Sequence, residues 1–109
     1  MELIFKDEYF RLVENGEKTT TIKKGVRIPE SRELILKPLL DDKKNYEYDE
    51  DYFINAELIR LEFKALYDLS NQDAELDGFQ DKRELEEVLY KIYPDIDEET
   101  IFTIIEFEI

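Results

Sequence analysis

Two segments of the chain show the clearest alternation of apolar and polar residues. In the segment 52–63 the alternation holds at first, and then the apolar side shifts by one residue. The apolar positions are Tyr52, Ile54, Ala56 and Leu58, followed by Ile59, Leu61 and Phe63. A one-residue slip of a period-two pattern is typical of a β-bulge, which barrels use to bend a strand around a corner. We therefore predict one long, bulged strand here.

The C-terminal segment 101–109 also alternates, but it is apolar on both faces at its centre. A strand of this kind is buried on both sides, so we predict that it lies inside a sheet. Two shorter segments favour strands as well. They are the β-branched run 19–22 and the run from Leu34 to Leu36, which Pro38 ends.

Helical spacing follows the short apolar segment 1–5. Asp7 is placed to act as an N-cap, and Gly16 is placed to end this first helix. Its apolar stripe consists of Tyr9, Phe10 and Val13. Further along, Ser70 and Asp73 have the spacing of a capping box that opens a short helix.

The short helix is expected to end at Gly78, and a longer one follows it. Asp81 would cap this longer helix, which Pro94 would stop. Its apolar stripe consists of Leu85, Val88, Leu89 and Ile92. Since the length is that of one domain, these elements predict a single α+β domain spanning 1–109. It has a mixed sheet of about five strands curled into an open barrel, a helix near the start and a helical insert before the last strand.

The chain contains no histidine and no cysteine, and this excludes more chemistry than any motif adds. Zinc sites, Cys–His pairs and the Ser-His-Asp relay each require at least one of the two. Catalysis is therefore limited to Lys, Tyr, Ser, Thr, Asp, Glu and Arg, or to a hard cation such as Mg²⁺ held by carboxylates. We expect no cofactor and no metal. Because no leader or membrane segment is visible, we expect a cytoplasmic protein that does not contact a membrane.

Charge is distributed unevenly around a net value of −14. The basic stretch contains Lys23, Lys24 and Arg27, which could meet a phosphate and are candidate substrate-binding residues. A simpler interpretation is that they are surface residues that balance an acidic protein. The net negative charge penalises RNA more than a small neutral substrate, because RNA carries a phosphate at every nucleotide.

The segment 40–51 is polar and strongly acidic, and we interpret it as a loop or hairpin tip. It lacks the glycine and the ligand spacing of an EF-hand. A solvated loop is favoured over a DNA-mimic or protein-binding role. The aromatic residues in and after it could stack on a base as a lid, or only cover the end of the barrel. They are Tyr46, Tyr48, Tyr52 and Phe53.

Two motifs at the right separation resemble the ASCH domain family, whose fold is a PUA-like barrel. Residues 15–23 are similar to the signature G-x-K-T-x-T-I-R, and residues 68–79 are similar to the segment dLt-x-x-dA-x-x-eGf. The ending formed by 90–94 and 105–107 matches too, so the resemblance spans nearly the whole chain. The chain departs from the family pattern at one place. Residues 29–33 stand where family members commonly have a Gly-Asp turn, so the loop that enters the barrel differs.

The resemblance is closest to small bacterial ASCH proteins that hydrolyse the amide of N4-acetylcytidine. It implies that Lys18 is the base, that Thr21 is the nucleophile and that Asp77, where glutamate is more common, is the carboxylate. Residues three apart on a regular strand point to opposite faces, so Lys18 and Thr21 converge only if Lys18 lies in the turn or the strand is irregular. Taken singly, the three residues are more simply interpreted as a solvated loop lysine, a strand threonine and an exposed helix-end residue. The alternative function is an RNA-binding or RNA-processing module on the same barrel.

Overall fold

The computed structural model describes residues 1–40 and 51–109. The predicted acidic loop lies almost entirely outside these residues, as do Tyr46 and Tyr48. The described residues form five strands, three α-helices and one 3₁₀ turn. In chain order these are β1 (Glu2–Phe5), α1 (Asp7–Glu14), β2 (Thr20–Lys24), β3 (Glu33–Pro38), β4 (Ile54–Ala65), the 3₁₀ turn (Leu66–Asp68), α2 (Asn71–Leu76), α3 (Lys82–Ile92) and β5 (Ile101–Glu108).

The five strands form one sheet in the order β1, β3, β4, β5, β2. β1 runs parallel to β3, and the other neighbouring pairs are antiparallel. β5 lies between β4 and β2, which confirms its predicted interior position. The mixed sheet, the early helix and the helices before β5 confirm the α+β class.

The predicted bulge is present in β4. The register with β5 shifts between Leu58 and Arg60, so Ile59 is the extra residue that bends the strand. The strand begins at Ile54 and not at Tyr52. Instead of continuing the strand, the ring of Tyr52 packs edge-on against Phe10 of α1, with the ring centres 6.0 Å apart.

The start of α1 differs from the prediction. Lys6 is the N-cap, no side chain caps the helix, and Asp7 is its first residue. A carboxylate at this position still interacts favourably with the partial positive charge of a helix N-terminus. At the other end, Gly16 has a φ of +84°, as expected of the glycine that ends a helix.

Both later helices begin as predicted. Oγ of Ser70 accepts from the N–H of Asp73 at 3.0 Å, and Oδ2 of Asp73 accepts from the N–H of Ser70 at 2.9 Å. This pair is a complete capping box. Asp81 caps α3 by accepting a hydrogen bond from the N–H of Glu84. These caps fix the start of each helix that covers one face of the sheet.

The sheet separates two apolar cores, and β5 contributes to both. Phe102 and Ile104 belong to the core beneath α2 and α3, whereas Ile105 and Phe107 belong to the core beneath α1. Alternate residues of a strand point to opposite faces, which explains why this segment is apolar throughout. β5 thus joins the two halves of the molecule, and the cavity described next lies where those halves meet.

Candidate active site

A cavity of about 220 Å³ is lined by both edge strands, β1 and β2, and by α1 and α3. Its wall is mainly apolar. Its polar lining residues are Lys6, Tyr9, Lys18, Thr21, Lys23, Asp77 and Tyr93. A mostly apolar cavity with a few converging polar groups is typical of a small-molecule site.

Lys18 lies in the turn between α1 and β2, where its N–H donates to the carbonyl of Leu12 at 3.1 Å. Only 5% of the residue is exposed. Its Nζ donates to Oδ1 of Asp77 at 2.7 Å and to the carbonyl of Asp77 at 3.1 Å. The rings of Phe5 and Tyr9 lie beside it, with centres 5.7 Å and 5.8 Å from Nζ. Lys18 is therefore not a solvated loop lysine.

Asp77 is the C-cap residue of α2, and its side chain is buried. Its Oδ1 accepts a second hydrogen bond, from Oγ1 of Thr20 at 2.9 Å. Burial raises the pKa of the Asp77 carboxyl, although Lys18 and Thr20 act in the opposite direction. This residue is thus a buried group and not an exposed helix end.

Gly78 allows the end of α2 to approach Lys18 closely. Its φ is +92°, a conformation that favours glycine. A Cβ atom here would lie 3.1 Å from Cδ1 of Leu12 and 3.5 Å from Cβ of Lys18. The glycine therefore ends the helix and leaves room for Leu12, which lies beside the lysine that contacts Asp77.

Thr21 lies on β2, pairs with Ile105 of β5 and is 5% exposed. Lys18 precedes this strand, so strand alternation does not place it opposite Thr21. Both residues line the cavity, together with Asp77. The Thr21 hydroxyl makes no side-chain hydrogen bond with the described residues. The structure thus brings together the three residues that the resemblance implied.

The basic stretch does not form one surface. Lys23 lines the cavity, and burial lowers its pKa, with the positive charge of Lys18 adding to the effect. Lys24 instead pairs with the carboxylate of Asp95 at 3.7 Å. Arg27 is exposed and does not line the cavity. Of the predicted substrate-binding residues, Lys23 alone reaches the site.

Sequence reasoning missed the contributions of Thr20 and Tyr9. Thr20 is fully buried and bonded to Asp77, a residue 57 positions away, and no local pattern reveals such a contact. Tyr9 was assigned only to an apolar stripe. Burial raises the pKa of its hydroxyl, and the charge of Glu8 adds to this. Neither Tyr52 nor Phe53 lines the cavity, so the lid hypothesis has no support from these two residues.

Within residues 1–40 and 51–109, no cluster of three side chains could hold a metal ion. The same part of the chain contains no helix that is long and apolar enough to cross a membrane. The reactive groups that line the cavity include lysine amines, the Thr21 hydroxyl, the Asp77 carboxyl and two tyrosine hydroxyls.

These features define a small α+β domain with a buried lysine–carboxylate pair at an apolar cavity. No family model and no curated protein matches the sequence. Two solved structures share the fold. An ASCH domain from Lactobacillus crispatus JV V101 has a TM-score of 0.70 at 13% identity, covering 94% of this chain and 70% of that chain. A protein from Enterococcus faecalis V583 described as DUF984 has a TM-score of 0.62 at 16% identity, covering 93% and 69%.

The chain therefore has the fold of an ASCH domain, which confirms the PUA-like barrel predicted from the motifs. Identities of 13% and 16% extend this likeness to the fold alone.

Proposed function

We propose that the protein hydrolyses the amide of a small acylated nucleoside such as N4-acetylcytidine. The observation that carries this proposal is that Lys18, Thr21 and Asp77 line one cavity, with Lys18 and Asp77 in contact at 2.7 Å. These are the residues to which the resemblance gives the chemistry of an amidohydrolase. An apolar cavity strengthens the electrostatic interactions of a charged pair with a substrate.

An uncharged nucleoside suits the size and the wall of this cavity. The volume of about 220 Å³ is below the roughly 300–1,000 Å³ of pockets for drug-sized ligands, so the ligand is small. The rings of Tyr9 and Phe79 both line the wall, with their centres 6.0 Å apart. Such rings provide stacking surface for a base. A nucleoside has no phosphate, so it also avoids repulsion by the net charge of −14.

The proposed reaction uses the Thr21 hydroxyl as the nucleophile. Its oxygen attacks the acyl carbon, the C–N bond breaks, and the nucleoside leaves as a free amine. Water then hydrolyses the acyl-threonine. The ammonium of Lys18, oriented by Asp77, stabilises the negative charge that develops on the carbonyl oxygen.

The test is cytidine release from N4-acetylcytidine by the wild type and by Thr21→Val, which has the same shape but no hydroxyl. We expect the substitution to lower kcat by at least about 10³-fold, because the chemical step loses its nucleophile. Thr19→Val is the matched control, since the buried Thr19 hydroxyl has no partner among the described residues. No release by the wild type at high enzyme concentration, or equal kcat for both variants, would contradict the proposal.

The alternative, an RNA-binding module without this chemistry, has less support. Lys24 pairs with Asp95, and Arg27 lies outside the cavity, so the described part of the basic stretch offers no continuous cationic surface. RNA binding with base preference that persists as salt is raised would favour this alternative.

A further inference from the structure

Three amines line the cavity, and their surroundings differ. Lys6 is exposed at the start of α1. The two hydrogen bonds of the Lys18 Nζ both go to Asp77. Lys23 is half-buried on β2, and within the described residues no carboxylate pairs with its amine. Lys23 is thus the shielded amine of this cavity that is not held by a carboxylate.

Lys23 and Thr21 project from the same face of β2. They are two positions apart, and residues i and i+2 of a strand share a face. Their partners on β5, Thr103 and Ile105, share a face as well. Thr21 and Lys23 are therefore same-face neighbours on β2, and both line the cavity.

We propose that Lys23 is the base that takes the proton from the Thr21 hydroxyl, while Lys18, to which the resemblance gave that role, remains bound to Asp77 and stabilises the oxyanion. This inference rests on the proposed amide hydrolysis. It assigns the proton transfers to an amine that is available within the cavity and leaves the buried ion pair intact.

In each turnover Lys23 accepts and returns a proton twice. As Oγ1 of Thr21 bonds to the acyl carbon, its proton passes to Nζ of Lys23. When the C–N bond breaks, Lys23 gives that proton to the departing nucleoside nitrogen. Water then attacks the acyl-threonine and transfers one proton to Lys23, which returns it to the Thr21 oxygen as the free acid leaves.

The electrostatics around Lys23 support this role. Burial lowers the pKa of the Lys23 amine, the positive charges of Lys18 and Arg27 lower it further, and Asp77 opposes them. A larger fraction of this amine is therefore neutral near physiological pH than of an ordinary lysine. The other titratable groups that line the cavity are Lys6 before α1, Tyr9 on α1 and Tyr93 at the end of α3.

The first test compares Lys23→Arg with the control Lys24→Met in the N4-acetylcytidine assay. Arginine keeps the charge but cannot release a proton near neutral pH, so we expect kcat to fall by about 10²–10⁴-fold. The rise of kcat with pH, which reports deprotonation of the base, should also disappear. Lys24 faces Asp95, and its loss should leave kcat and the pH profile unchanged. Wild-type kcat in Lys23→Arg overturns the proposal.

The second test does not depend on activity. Trace acetylation of the wild-type protein with acetic anhydride over a range of pH, followed by mass spectrometry, gives a labelling midpoint for each lysine. We expect a lower midpoint for Lys23 than for Lys24. Equal midpoints overturn the assignment of the base. If the Lys23 midpoint is low but no cytidine is released, the proposed hydrolysis is overturned, and so is the role of Lys23 as its base. The finding that the Lys23 amine loses its proton easily would remain valid.

Discussion

Two aspartates at opposite ends of α2 each contact a lysine, yet they differ in their electrostatics. Oδ2 of Asp73 lies 2.8 Å from Lys64 Nζ, and Oδ1 of Asp77 lies 2.7 Å from Lys18 Nζ. The exposed fractions of the two aspartate side chains are nearly equal, at 6% and 7%. Even so, the pKa of Asp73 is lowered, whereas that of Asp77 is raised.

The difference follows from position along the helix. Burial opposes the ionisation of Asp73, but hydrogen bonds from Lys64 and from the N–H of Ser70 outweigh it. Asp73 lies in the first turn, where the helix dipole also favours a negative charge. Asp77 is at the C-cap, where the outward-pointing backbone carbonyls disfavour a negative charge. Asp77 is also surrounded more completely by protein. The cost of burying its charge therefore outweighs the stabilisation by Lys18 and Thr20, and its pKa is raised.

The comparison separates a carboxylate that caps a helix from one that lines the cavity. The charge of Asp73 is stabilised by Lys64 and by its own capping box, which opens a helix. The charge of Asp77 is maintained mainly by Lys18 and Thr20. Perturbed carboxylates in cavities are where acid–base and electrostatic chemistry concentrates.

The largest effect on stability is expected for Lys18→Met. It leaves a buried carboxylate without its cation, and breaking a buried pair in this way costs about 3–5 kcal/mol. Lys64→Met should cost only about 1 kcal/mol, because Asp73 keeps its hydrogen bonds with Ser70. Urea unfolding at neutral pH measures both values.

The double variant Lys18→Met/Asp77→Asn is the control for that measurement. It should be more stable than Lys18→Met alone, because no charge then remains buried without a partner. If Lys18→Met and Lys64→Met lose equal free energy of unfolding, the two aspartates are equivalent and the distinction fails.

A smaller loss is expected for Gly78→Ala. An L-residue with this positive φ is strained by about 1–2 kcal/mol, and the added methyl also meets Leu12 at 3.1 Å. Gly16→Ala is the matched control, because Gly16 has a similar φ of +84° and nothing within 4 Å. Only Gly78→Ala should crowd Leu12 beside the turn that carries Lys18, and so lower kcat. Equal kcat in both variants would show that the close approach of the end of α2 to the turn before β2 is unimportant for activity.

The smallest effect is a difference in pH dependence. A raised carboxyl pKa means that the contribution of Asp77 to stability falls as pH rises from the ordinary value of 3.8 through the raised value. The lowered pKa of Asp73 has the opposite effect, since its contribution is complete above 3.8 and is lost as pH falls through the folded value.

Asparagine substitutions remove each contribution separately. Relative to the wild type, Asp77→Asn should become more stable as pH rises from acidic towards neutral, and Asp73→Asn should become less stable. Urea unfolding of the three proteins across this pH range gives the two differences. If the two differences in free energy of unfolding change with pH in the same direction, the two carboxyls have the same kind of environment.

Most of the fold could be predicted because its signals are local. The slip in alternation located the bulge at Ile59, and the spacing of Ser70 and Asp73 located a helix start. The error at the start of α1 arose because Asp7 is compatible both with an N-cap and with the first turn. Backbone geometry decides between these two, and the residue type does not.

The site was less predictable because its contacts join distant segments. The motifs named Lys18, Thr21 and Asp77, yet neither composition nor spacing reveals that Thr20 bonds to Asp77. Nor does the basic stretch reveal that Lys23 lines the cavity while Lys24 pairs with Asp95. That separation follows from the alternation of side chains along β2 and from the elements that pack against each face.

The contact between Lys18 and Asp77 spans 59 positions of sequence, and this has a consequence for the order of folding. Closing so long a loop is entropically unfavourable until other contacts compensate, and distant contacts form slowly. The helices can gain local structure early, whereas the lysine and the carboxylate meet only when α2 docks against the turn before β2. We expect partly folded chains to lack this contact, so that the proposed activity would report complete folding.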